Sequence, residues 1–113
     1  MARYHSLTIY ALARENLRDI ARITQHMPGF GDLANQMRRA AISVVSNISE
    51  GAASGSDKTF IRYLGFARGS ANELQAQLEM LSDLDLLPAD HPLHDRCDRL
   101  GRSITKLILS LSG

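Results

Sequence analysis

One cysteine, Cys97, stands in 113 residues, so no internal disulfide can form and the fold must be held by packing alone. A lone thiol also fits a reducing compartment. No apolar run approaches the roughly 20 residues that span a bilayer. The start, Met1-Ala2-Arg3-Tyr4-His5, lacks the apolar core of a signal peptide. A cytoplasmic protein with no membrane association is therefore expected. Charge of either sign is not in excess: 13 Lys and Arg against 12 Asp and Glu leave a net +1, so bulk charge singles out no partner. What remains is a chain with 44% hydrophobic and 22% charged residues, the balance of a folded domain rather than a disordered one. Its length suits a single domain over 1–113 with one core.

Gly and Pro interrupt the sequence at three places: Pro28-Gly29-Phe30-Gly31, Gly51 to Ser56, and Leu87 to Pro92. The four segments between and beyond them all carry helical periodicity. Apolar positions three and four apart predict helices over about 6–27, 32–50, 57–84 and 90–111. The expected seams are Tyr10, Ala13, Leu17, Ile20, Thr24 and Met27; then Leu33, Met37, Ala40, Val44 and Ile48; then Phe60, Leu64, Ala67, Ala71, Leu74, Leu78 and Leu81; and last Leu93, Cys97, Leu100, Ile104, Leu107 and Leu111. Gly51 is placed where a left-handed helix end belongs, and Ser56 where an N-cap belongs. Alternation of three and four suits helices packed at a shallow angle, and the short connections make neighbours antiparallel. The expected fold is all-α, an up-down-up-down antiparallel four-helix bundle without a sheet.

Apolar residues outnumber what one bundle needs. Ile9, Leu12 and Ile23 lie beside the first seam, Val45 beside the second, Ile61, Tyr63, Phe66 and Met80 beside the third, and Ile108 and Leu109 beside the fourth. The second helix is rich in Ala and Ser, which permit close approach. Surplus apolar faces need cover, and a homo-oligomer built through helices is the reading they favour over scattered surface residues.

The charges are segregated. Residues 1–72 carry a net +4, residues 73–98 a net −6 and residues 99–113 a net +3. In an up-down bundle Glu79, Asp83, Asp85, Asp90, Asp95 and Asp98 share one pole. Arg3, Lys58, Arg62, Arg102 and Lys106 gather at the other. The helix macrodipole would favour the opposite order along the third helix, so local helix stability does not explain the pattern. Arg14, Arg18 and Arg22 repeat every four residues, and Arg99, Arg102 and Lys106 form a second row. One reading is a solvated face on which Glu15 and Asp19 pair with the arginines. The other is a surface for an anionic partner, RNA or DNA or an acidic protein, to which Arg38, Arg39, Lys58 and Arg62 would add. No dedicated nucleic-acid motif is present.

Catalytic chemistry finds little support. His91, His94, Asp95 and Cys97 cluster, but Cys97 falls on a core seam and His91 in a helix cap, so no metal or cofactor is expected. No serine stands in a nucleophile elbow. Gly55-Ser56-Asp57-Lys58 lacks the spacing of a phosphate loop and reads as a turn with an N-cap. The Glu-x-x-His pairs of a di-metal bundle are absent. Glu50 ends the second helix where the dipole disfavours an acid, so an ion pair with Arg62 or Arg68 is expected, with Asn47 and Gly51 in the same structural cluster. The chain reads as a non-enzyme.

Two blocks carry a resemblance. Gln36-Met37-Arg38-Arg39-Ala40-Ala41-Ile42-Ser43-Val44-Val45-Ser46-Asn47-Ile48-Ser49-Glu50-Gly51 is one, and the stretch from Ser56-Asp57-Lys58-Thr59-Phe60 through Gly69-Ser70-Ala71-Asn72-Glu73-Leu74 is the other. Together with weaker similarity over His5 to Ala13 and Pro28 to Leu33, they resemble the bacterial four helix bundle protein family, which is also encoded in intervening sequences of large-subunit ribosomal RNA genes. Tyr10 stands where that family has Trp, Val45 where Pro is frequent, Ser49 where Ala is and Thr59 where Glu is; these look like packing changes. The resemblance implies a ring-shaped homo-oligomer, a pentamer, without known catalytic activity. It extends to the accessory proteins of diversity-generating retroelements, which bind a reverse transcriptase and nucleic acid. Two roles follow: a nucleic-acid-binding module, or a protein-binding scaffold that touches no nucleic acid.

Overall fold

The computed structural model describes residues 7–113; Arg3 and the expected helix start at Ser6 lie outside the described residues. Four helices form in order: α1 (Thr8–Ile23), α2 (Gly31–Ala53), α3 (Asp57–Asp83) and α4 (Pro92–Ser112), with no strand among the described residues. α2 packs on α3, α3 on α4 and α1 on α2, and α1 against α4 closes the ring of four. Cross-helix contacts give the directions. Ser43 meets Ser70 while Gly51 meets Phe60 and Tyr63, so α2 and α3 run antiparallel. Gln75 reaches Asp98 and Ser82 reaches His94, so α3 and α4 do too. The described residues form a rod of 43 × 21 × 20 Å.

Several helix ends have a chemical cause, and two differ from expectation. α1 stops at Ile23, about a turn short of the expected end at 27. The Thr24 hydroxyl joins its own amide on the Ile20 carbonyl at 2.6 Å, and Arg38 donates to the Thr24 carbonyl at 2.8 Å, an acceptor that Pro28, without an N–H, could not serve in a further turn. Pro28 follows, and Gly29 turns the chain at φ +82°. α2 runs past Gly51 to Ala53, so Gly51 is helical interior and not the left-handed end. The turn falls at Gly55 instead, with φ +81°. Gly51 serves the crossing: a Cβ there would lie 2.7 Å from Tyr63 Cβ and 3.0 Å from Phe60 Cδ1. Ser56 caps α3 as expected, accepting from the Thr59 amide at 3.1 Å. α3 ends in a Schellman motif: Leu86 N–H donates to Leu81 O and Asp85 N–H to Ser82 O, with Asp85 at φ +58°. His91 caps α4 by accepting from Leu93 N–H at Nδ1, with Pro92 at the first helical position.

The core follows the expected seam on α3 and most of those on α2, where Leu33 is only partly buried, and α4. Met37, Val44, Ile48, Phe60, Leu64, Leu74, Leu78, Leu81, Leu93, Leu100 and Ile104 are fully buried. Each such side chain contributes roughly 1.5–3 kcal/mol by leaving water. On α1 the buried face is rotated from expectation. Ile9, Leu12, Ala13, Asn16 and Ile20 are buried, while Tyr10 and Leu17 only flank the core. Two of the surplus apolar residues, Ile9 and Leu12, are therefore core. So are the small residues Ala34, Ala40, Ala41 and Ala52 of α2, which allow close approach inside the protomer. What stays outside is Phe30, Ile42, Phe66, Met80, Leu84 and Leu109. No helix among the described residues is long and apolar enough to cross a membrane.

Candidate functional site

The cations expected to meet a partner divide into those the fold occupies and those it leaves open. Arg38 is occupied. Its Nε donates to Thr24 Oγ1 at 3.0 Å, one Nη to Thr24 O at 2.8 Å and the other to Asn35 Oδ1 at 2.9 Å. It clamps the end of α1 to the start of α2. Its neighbour Arg39 is exposed, beside Gln36, Ser43, Ser70 and Glu73 in a shallow depression between α2 and α3.

The row on α1 is freer than a solvated face of local pairs would be. Only Arg22 pairs along the helix, to Asp19 at 2.9 Å. The acids expected to neutralise the row are drawn across to α4, where Arg96 binds Glu15 at 2.9 Å and also Asp19. Arg96 is 16% exposed. Burial pulls its guanidinium towards lower pKa, but the hydrogen bond and charge of Asp19, with those of Glu15, outweigh this and hold it above its ordinary value. Arg14 and Arg18 are left exposed with no acidic partner among the described residues, Arg14 lying 5.7 Å over the Tyr10 ring. Sequence reasoning passed over Arg96; its only signal was to be the single base in the acidic stretch 73–98.

The cluster around Glu50 is also rearranged. Glu50 is exposed and forms no ion pair with Arg62 or Arg68 among the described residues. Arg62 lies 5.6 Å over the Phe66 ring, which packs edge-on against Tyr63. Arg68 lines a groove on the other side of α3. Asn47 stays structural: Nδ2 donates to Ser43 O at 2.9 Å and to Ser43 Oγ at 3.0 Å, and Ser43 Oγ meets Ser70 Oγ at 2.8 Å across the α2–α3 seam. Lys58 is exposed on the first turn of α3.

In the fourth-helix row Arg99 stands exposed, Arg102 bends to Asp98 at 3.0 Å, and Lys106 is exposed. Arg102 and Lys106 meet Arg68 in a groove of about 450 Å³ between α3 and α4, with Asn72, Gln75 and Thr105 on its walls. This is where the fold brings two of the candidate cations, Arg102 and Lys106, together with Arg68. Sequence reasoning had offered Arg68, alongside Arg62, as a partner for Glu50 and had no means to see this meeting.

His91, His94 and Cys97 have structural surroundings. His94 Nε2 lies 3.1 Å from Ser82 Oγ and 3.2 Å from Pro88 O, holding the α3–α4 loop. Burial pushes the Cys97 thiol up to about 11, so it is a poor nucleophile at neutral pH. No group of three or more His, Cys, Asp or Glu among the described residues is arranged to hold a metal ion.

A model of the family described as 23S rRNA-intervening sequence protein matches residues 5–106. No curated protein matches the chain.

Proposed function

The chain belongs to the 23S rRNA-intervening sequence protein family, and from that premise we propose that it is a cytoplasmic, non-catalytic, oligomeric module that binds RNA through its exposed cationic faces. One observation carries the reading: Arg96 takes both acids of α1, so Arg14 and Arg18 face solvent unneutralised. Cations kept from local partners suit an anion from outside, and phosphate contacts would dominate such binding. The family's description, with its mention of 23S rRNA, makes RNA the first candidate.

The assembled form is read as a homo-oligomer, a pentamer. Ile42 at 53% exposure, Phe66 at 49% and Met80 at 48% support it, because large apolar side chains on outer helix faces gain from cover. The same residues favour the second reading, a scaffold for a protein partner such as a reverse transcriptase.

Fluorescence anisotropy with a structured RNA tests the leading reading. Binding at low salt that falls linearly on a log–log salt plot is expected, with affinity lost on replacing Arg14 and Arg18 by Ala. No binding at low salt would leave the scaffold. Light scattering coupled to gel filtration reads the assembly, and a monomer would end the oligomer reading.

A further inference from the structure

We propose that the groove between α3 and α4 is a phosphate seat, built by Arg68, Arg102 and Lys106 and guarded by Asp98. For RNA as the source of phosphate it rests on the reading above; for a free phosphate compound it stands alone.

The walls are set by helical spacing. Arg68, Asn72 and Gln75 lie four and three apart on α3, and Asp98, Arg102, Thr105 and Lys106 follow the same rule on α4. Both sets therefore face one channel of about 450 Å³, within the range of small-ligand sites. The channel exists because Gly101 gives α4 no side chain at the floor. A Cβ there would meet Asn72 Oδ1 at 3.7 Å, an ordinary contact, and anything longer would project into the space.

The chemistry suits a multiply charged oxyanion. Three cations line the groove, and Asn72 and Gln75 add neutral N–H donors around them, while the Thr105 hydroxyl donates to the Gly101 carbonyl at 3.2 Å. Arg68 and Lys106 have no acidic partner among the described residues. Arg102 is held by Asp98 at 3.0 Å, and Gln75 Nε2 also donates to Asp98 at 3.4 Å. Asp98 thus stands in as the groove's own anion, weakly, since both ends of its pair with Arg102 are well exposed. A phosphate oxygen makes stronger charge-assisted contacts with a guanidinium than this pair supplies, and would draw Arg102 off. Neutralising Asp98 should therefore tighten binding, the opposite of what loss of a ligand-contacting residue does.

The test titrates ¹⁵N-labelled protein at low salt with two probes: inorganic pyrophosphate, and a short oligouridylate whose only phosphates are backbone diesters. The Gly101 amide and the Asn72 and Gln75 side-chain amides should shift with at least one probe, and which probe identifies the source. Asp98→Asn should tighten that binding severalfold. Arg68→Ala should weaken it about tenfold, the worth of one charge-assisted hydrogen bond. Gly101→Leu keeps every charge, and should abolish binding by filling the floor, with circular dichroism melting to confirm its fold. Unmoved groove resonances with both probes would overturn the proposal, as would unchanged affinity in Gly101→Leu. RNA that binds regardless of Gly101→Leu would sink the groove as an RNA site and leave the RNA reading intact. Pyrophosphate that shifts the groove while RNA fails to bind would do the reverse.

Discussion

Gly51 and Tyr63 stand at the closest approach of α2 and α3, where a Cβ built on the glycine would lie 2.7 Å from the Cβ of the tyrosine. Both positions are anchored in helical backbone, so no side-chain rotation can relieve that contact. A glycine inside a helix ordinarily costs stability, and here the close packing of two long helices offsets the cost.

Replacing Gly51 with Ala should accordingly destabilise the protein by about 1–3 kcal/mol, despite the better helix propensity of alanine. Gly69 is also helical interior, but a Cβ there meets nothing within 4 Å. Gly69→Ala should stabilise by roughly 0.5–1 kcal/mol. Urea denaturation of the two variants should move the midpoint in opposite directions; a shift of the same sign in both would refute the close-approach account.

Arg38 holds the end of α1 through Thr24 and should matter to folding more than to ligands. Arg38→Ala is expected to cost about 1–3 kcal/mol, since it leaves the carbonyl of buried Thr24 without a donor. Arg38→Lys should recover little, because one ammonium cannot reproduce a fork that reaches hydroxyl, carbonyl and Asn35 together. Thermal melts read the stability. An RNA affinity that fell in Arg38→Lys without any change in melting would show that the residue belongs to the binding surface.

Cys97 links stability to alkaline pH. Its native thiol titrates at about 11, against an ordinary value of 9.0 for the unfolded chain. Below pH 9 both states hold the proton. Between 9 and 11 the unfolded chain releases it first, so stability falls as pH rises, by roughly 2–3 kcal/mol across the window. The wild-type stability relative to Cys97→Ala should decline over that range. The thiol should also resist a disulfide reagent at pH 8 until the protein is unfolded; rapid reaction of the native protein would contradict its burial.

Asn16 is a polar residue in an apolar place. It is 1% exposed, and neither Nδ2 nor Oδ1 finds a hydrogen-bond partner among the described residues. Replacing it with Leu removes the desolvation cost and should raise stability by about 1 kcal/mol or more. Calorimetry that showed a lower melting temperature would mean that Asn16 is satisfied in solution or that the site cannot take the larger side chain.

Much of the architecture was legible because helix seams are one-dimensional information. Phe60 to Leu81 and Leu93 to Ile104 recur at three and four, and a helix carrying such a stripe has one way to face a core. α1 was harder, since Tyr10 and Leu17 compete with Ile9 and Leu12 for the inward face only about 100° away, and propensity does not choose between them. Its rotation was decided by what α2 and α4 presented.

The candidate site divides along the same line. The amounts and order of charge, the exposed rows on α1 and α4, and the cap at Ser56 follow from local spacing. Which cations are free does not. Arg96 meets Glu15 and Asp19 from 81 and 77 residues away, Arg38 meets Thr24 across a turn, and Arg68 lines a groove with Arg102 and Lys106. Composition and periodicity determined four helices and an apolar core by themselves. Tertiary packing alone decided that Gly51 is a crossing point and that three cations share a groove, because a charge is committed only by the neighbours that folding brings within reach.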